Sequence, residues 1–238
     1  MALPRINETL NFNMTVPSTG KKVKYRPYLV KEEKVLLQAF ESGDTKTCLE
    51  AMVDTLEACI DPKSKLDVGS LATFDVEYLF VKVRSKSVGE VSTVVVNCTE
   101  CGEGNKHNID LEEVSVEVES IDNVIQITDD IAIELAYPTY DTIIKGEVAD
   151  VEKNDISAAM DIMAGSVKAV LTEEERIDCA HQSKEEVVEF LNSMTATQLQ
   201  KVSDFLENMP ALRHSVEFTC EKCQAENKLE LKGLADFF

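Results

Sequence analysis

The sequence predicts an α+β fold, and three observations predict it. Apolar residues alternate through residues 10–25 and again between residues 91 and 135, the period of half-buried strands. They recur at helical spacing over residues 30–89 and from about residue 140 to 209. Two Cys-x-x-Cys turns, Cys98-Thr99-Glu100-Cys101 and Cys220-Glu221-Lys222-Cys223, each sit between strand-like runs.

In chain order, Leu10, Phe12, Met14 and Val16 alternate, Pro17-Ser18-Thr19-Gly20 turns, and Val23 and Tyr25 follow, which reads as a β-hairpin. Pro27 ends it, because proline has no N–H for a ladder. Residues 30–42 read as a helix with Val35, Leu36, Ala39 and Phe40 on one side. A second helix, near 44–60, carries Leu49, Met52, Val53, Leu56 and Ile60 and is capped by Asp44. Residues 74–89 are apolar on more than one face, and their length favours a buried helix over a strand. Strands are expected at 91–97 and 107–111, then around Val114–Val118, Ile125–Ile127 and Ile131–Leu135. From about residue 140 the pattern is helical. Ile156, Ala159, Met160 and Met163 form one stripe, and capping boxes are read at Thr172/Glu175, Ser183/Glu186 and Thr195/Gln198. Pro210 stops the last helix. Strands then flank the second Cys-x-x-Cys turn, and the apolar end, Leu234-Ala235-Asp236-Phe237-Phe238, is expected to dock.

A chain of 238 residues can bury a sizeable core as one large or two small domains. No run of about 18 apolar residues suggests a membrane span. The opening MALPRINETL lacks the basic and apolar regions of a secretory signal. The formal net charge of -20 opposes a nucleic-acid-binding role, which needs a concentrated basic surface. The charge is uneven, with a basic excess in residues 1–35 and an acidic excess in 111–160, a polarity that suits either partner orientation or a solvated surface. The chain shows no phosphate-binding loop, HExxH, Gly-x-Ser-x-Gly or glycine-rich dinucleotide turn, so the reading is non-enzymatic.

The strings VVVNCTECGEGNKHNIDL and VEFTCEKCQAENKLELKG read as two copies of one hairpin, each with Asn-Lys at the same offset (Asn105-Lys106 and Asn227-Lys228). With no secretory signal read, the seven cysteines favour metal binding or free thiols over disulfides. Cys98, Cys101, Cys220 and Cys223 can together supply four thiolates to one tetrahedral Zn2+. Four sulfurs leave no open coordination position, so the metal would be structural. A thioredoxin-like redox role fits less well, since neither pair precedes a clear helix N-terminus. His107 is a weaker ligand candidate, because Leu229 holds its place in the second copy. Cys179-x-His181 reads as a chance pair.

Further blocks are the Pro17–Gly20 turn, the string Tyr25-Arg26-Pro27-Tyr28-Leu29-Val30-Lys31-Glu32-Glu33-Lys34, and Glu77 to Glu90 (EYLFVKVRSKSVGE), followed directly by the first Cys-x-x-Cys. This succession resembles the baseplate hub family of T4-like contractile-tailed bacteriophages, well over residues 10–111 and in general layout beyond. The resemblance implies a phage tail protein in the virion, made in the host cytoplasm, and no catalytic residue. Its implied partners are other tail and baseplate proteins, with a homo-oligomer allowed by the tail symmetry and neither nucleic acid nor membrane. Within the two resembling strings, Tyr25, Arg26, Tyr28, Lys82, Arg84 and Lys86 are candidates for partner contact or for the core. The expected organisation is an N-terminal hairpin and helices (1–90), a zinc-ribbon-like module from the two knuckles (91–112 with 214–238), and a strand-and-helix insertion (113–213). An assembly chaperone absent from the mature virion and a zinc-ribbon nucleic-acid factor are the alternatives.

Overall fold

The computed structural model describes residues 10–118, 122–145 and 156–237. The elements run β1 (Phe12–Thr15), β2 (Lys22–Tyr25), α1 (Val30–Ser42), α2 (Thr45–Cys59), α3 (Thr73–Ser87), β3 (Val91–Asn97), β4 (Gly104–Asp110) and β5 (Ser115–Val116). They continue through β6 (Val124–Gln126), β7 (Ile131–Leu135), α4 (Tyr140–Lys145), α5 (Ile156–Ser166), β8 (Val167–Thr172) and β9 (Arg176–Asp178). Helices α6 (Lys184–Asn192) and α7 (Ala196–Glu207) and strands β10 (Leu212–Thr219) and β11 (Glu226–Lys232) complete the order. This is an α+β arrangement of small antiparallel sheets: β1-β2, β3-β4, β11-β10-β5 and β6-β7-β8-β9.

Helix α3 organises the molecule, and its position explains an apolar character that runs around the whole helix. A helix hydrophobic on every side must be buried on every side. Val76, Leu79, Phe80 and Val83 join the hairpin β1-β2 and helices α1 and α2 in one core. Val81 faces a second core with Val94, Val96 and Ile109 from β3-β4 and Leu212, Val216 and Leu231 from β10-β11. Phe74 meets Tyr137 edge-on at 5.2 Å, and Tyr137 stacks on Phe205 at 5.5 Å, which reaches the third core of β7, β8 and α5–α7.

Several buried polar residues of α3 find partners inside the fold. Asp75, fully buried in its first turn, accepts the Ser18 backbone N–H at 2.9 Å and the Ser18 hydroxyl, so the Pro17–Gly20 turn is latched onto the helix. Asp75→Ala leaves these donors without an acceptor and is expected to destabilise the fold by about 2–3 kcal/mol. Asp75→Asn, which keeps an acceptor, is expected to cost less. Urea unfolding of the two variants checks the order, and equal losses would rule out the latch.

Helices α1, α2, α3, α6 and α7 lie where the periodicity puts them. The Asp44 carboxylate caps α2 through the Lys46 and Thr47 N–H groups, and capping boxes close the starts of α6 and α7 at Ser183/Glu186 and Thr195/Gln198. On α1, Leu36 and Ala39 are buried, but Val35 and Phe40 are about half exposed, so the buried stripe is narrower than expected. The C-terminal segment docks: Phe237 is fully buried in the second core, and its carbonyl accepts the Ser92 hydroxyl at 2.8 Å. Phe238 lies outside the described residues.

Residues 167–178 correct the expectation of a helical run after residue 140. They form β8 and β9, which extend the sheet from β7. Thr172 and Glu175 cap no helix. They close the β8-β9 turn, with Thr172 N–H donating to the Glu175 carbonyl at 2.9 Å and Glu175 N–H to the Thr172 hydroxyl at 3.1 Å. A threonine followed three residues later by glutamate suits either turn, and β7 offered an edge that needed a partner. On α5, Met160 and Met163 are half-buried, whereas Ala159 is exposed and Ala158 and Ala164 are buried in its place. Of the alternating Val114–Val118 run, only Ser115 and Val116 pair, with β10.

Candidate metal centre

The two knuckles are built alike. In β3-β4, Asn97 pairs with Gly104, and the intervening turn is closed by Cys98 N–H to the Glu103 carbonyl at 2.9 Å and Gly102 N–H to the Cys98 carbonyl at 2.9 Å. In β10-β11, Thr219 pairs with Glu226. Cys220 N–H donates to Ala225 at 2.9 Å and Gln224 N–H to Cys220 at 3.0 Å. The residue after each second cysteine is left-handed, Gly102 at φ 70° and Gln224 at φ 60°. Glycine suits that conformation and glutamine tolerates it at a cost, so the matching backbone is imposed by the turn and not by residue type.

The shared core of β3, β4, β10 and β11 brings the knuckles tip to tip. The Sγ atoms of Cys98, Cys101, Cys220 and Cys223 all lie within 4.8 Å of one another. Across the junction, Cys98 and Cys223 sulfurs are 3.6 Å apart and those of Cys101 and Cys220 3.7 Å apart. A tetrahedron with Zn–S bonds of about 2.3 Å has an edge of about 3.8 Å. The spacing therefore fits one tetrahedral ion, and all four cysteines are free thiols. Cys98 and Cys220 are buried, whereas Cys101 and Cys223 are exposed.

The surroundings favour thiolate on one cysteine of each knuckle. Cys98 is held below the ordinary thiol range, first by the Cys101 backbone N–H and then by the Glu100 N–H and the Asn227 amide, against burial. Cys220 is lowered by the Cys223 and Lys222 N–H groups. Cys223 is favoured as thiolate by the Ala225 N–H, yet the sulfurs of Cys101, Cys98 and Cys220 outweigh it and push the thiol up. Four sulfurs at this distance cannot all ionise by themselves. A bound cation would supply the missing charge, so the donor set fits a thiolate metal site.

Asn105 and Asn227 bind the opposite knuckles, a role that the repeated Asn-Lys offset signalled without revealing. Lys222 adds a bridge to Glu103 at 2.6 Å across the junction. His107 sits in β4 opposite Val94, and Cys179 and His181 lie in a short 3-10 turn. Neither site joins the sulfur cluster.

The six residues of the two resembling strings have mixed settings. Tyr25 is buried, and its hydroxyl donates to the Lys82 carbonyl at 3.4 Å. Lys82 is buried too, its ammonium donating to the carbonyls of Leu111 at 3.0 Å and Glu112 at 2.8 Å and lying over the Tyr78 ring. Arg26 pairs with Glu32 at 2.8 Å, and Lys86 with Glu90 and Glu112. Tyr28 and Arg84 line an open cavity of about 540 Å³ between α1 and α3, beside the half-exposed Leu37 and Phe40. Among the described residues, no helix is long and apolar enough to cross a membrane.

Comparison with curated proteins and with solved structures gives no match. The family model described as T4 bacteriophage base plate protein matches residues 9–238. With nearly the whole sequence covered, the two-knuckle chain belongs to this family of phage base plate proteins.

Proposed function

We propose that this chain is a non-enzymatic structural component of the hub region of a contractile-tail baseplate, with one structural Zn2+ locking its two hairpins into a ribbon-like module. Family membership supports the baseplate role, and the four sulfurs at tetrahedral spacing support the zinc reading. When bound, the metal would offset half of the charge of the four thiolates and cross-link positions far apart in sequence. The chain's own residues set the knuckle geometry and hold the α3 core against it. Surfaces on either side of that core are then presented to neighbouring tail proteins at fixed angles. Tyr28 and Arg84, with Leu37 and Phe40 nearby, are the members of the resembling strings best placed to meet such a neighbour. Tyr25 and Lys82 act from inside the fold.

Quantitative mass spectrometry of mature particles and of baseplate intermediates tests the role. Stoichiometric presence in both is expected. Presence in intermediates alone would make the chain an assembly chaperone, and absence from both would sink the baseplate reading. Elemental analysis of the purified protein is expected to give one zinc per chain. The net charge of -20 weighs against the nucleic-acid alternative, for which a salt-sensitive DNA-binding assay is expected to be negative.

A further inference from the structure

Each knuckle receives an asparagine from the other hairpin. Asn105 stands in β4 opposite Val96, and Asn227 holds the equivalent place in β11 opposite Phe218. Both are 5% exposed. The Asn227 Oδ1 accepts the Thr99 backbone N–H and the Thr99 hydroxyl, each at 2.9 Å. Its Nδ2 donates to the Ala225 carbonyl at 2.9 Å and to Cys98 Sγ at 3.5 Å. The Asn105 Oδ1 accepts the Glu221 N–H at 3.0 Å, while its Nδ2 donates to the Glu103 carbonyl at 2.8 Å and to Cys220 Sγ at 3.8 Å. The orientation of each amide is set twice over. A backbone N–H requires oxygen on one side, and a carbonyl requires nitrogen on the other.

A buried hairpin junction could be stapled by apolar packing alone. Here two of its interior places go to amides, and each amide turns an N–H toward the more buried sulfur of the facing knuckle. A four-thiolate zinc site carries a net double negative charge, and N–H donors to sulfur are what stabilise it out of water. We infer that Asn105 and Asn227 are reciprocal positioning residues of the metal centre: each donates to a thiolate of the opposite knuckle and holds that knuckle's backbone with its oxygen. The inference rests on the zinc reading above.

Chelator competition on the full chain, with zinc and with cobalt(II) as a spectroscopic substitute, tests it. Asn227→Ala is expected to weaken zinc binding about 10- to 100-fold. Asn227→Asp keeps an acceptor for Thr99 but turns a carboxylate oxygen toward Cys98. It is expected to weaken binding further and to shift the sulfur-to-cobalt charge-transfer band. Asn105→Ala, with the longer sulfur contact, is the milder variant should the changes at Asn227 prevent folding, and a loss in the same direction is expected. Asparagine variants with wild-type affinity and an unshifted cobalt band would overturn the inference and leave the zinc site standing. A folded wild-type chain that takes up neither metal would overturn the zinc reading and this inference with it.

Discussion

Cys98→Ser and Cys220→Ser are each expected to abolish stoichiometric zinc and to unfold the junction of β3-β4 with β10-β11. Structural zinc binding contributes apparent free energies on the order of 10 kcal/mol or more, while whole domains are stable by about 5–15 kcal/mol. Losing the metal therefore removes a large share of the total. The second core is where the loss appears first, because Val94, Val96, Val216 and Leu231 face one another across the hairpins that the metal joins. The cost of closing the long loop of residues 102–219 grows only logarithmically with length, so one metal can offset it. A strong chelator is expected to lower the wild-type melting temperature, and zinc is expected to restore it. Cys48→Ser, in α2 and remote from the cluster, is expected to keep the metal. A Cys220→Ser protein that melts like the wild type and still assembles would refute the structural role of the site.

Glu77→Gln is expected to stabilise the protein at pH 8 and to leave it unchanged at pH 4. Glu77 lies on α3 beside Tyr140 and Arg84, and burial pushes its carboxyl from 4.5 to about 7, against the favourable Leu234 N–H. The sign follows from proton binding. Below the unfolded value of 4.5, both states hold the proton and burial carries no ionisation penalty. Between 4.5 and about 7, the folded state keeps the proton that the unfolded state releases, so stability falls as pH rises and levels off above about 7. The full loss is at most about 3 kcal/mol, and glutamine, which cannot ionise, avoids it. Other carboxylates act oppositely. Glu32 and Glu112 are held below the usual range, where Arg26, Lys31, Ser85 and the lysines around Glu112 outweigh burial, so their contributions fade in acid. The difference between wild type and Glu77→Gln, from urea unfolding at several pH values, isolates the one group. An offset that did not change with pH would contradict the buried-carboxyl account.

The sequence by itself determined the pieces governed by local physics. Alternation placed the N-terminal hairpin, 3.6-residue spacing and caps such as Asp44, Ser183 and Thr195 placed the helices, and repeated Cys-x-x-Cys flanks marked the two knuckles. Each of these depends on residues a few positions apart, whose chemistry can be read directly. Tertiary structure alone decided what depends on neighbours distant in the chain. It made Thr172 and Glu175 a strand turn where the same spacing suits a helix start, because β7 had an edge to fill. It buried Lys82, whose type suggests a surface, because α3 lies where the Leu111 and Glu112 carbonyls can receive the ammonium. It also crossed Asn105 and Asn227 onto opposite knuckles. Their equal offsets were visible in the chain, but only the facing of two hairpins could show which sulfur each amide meets.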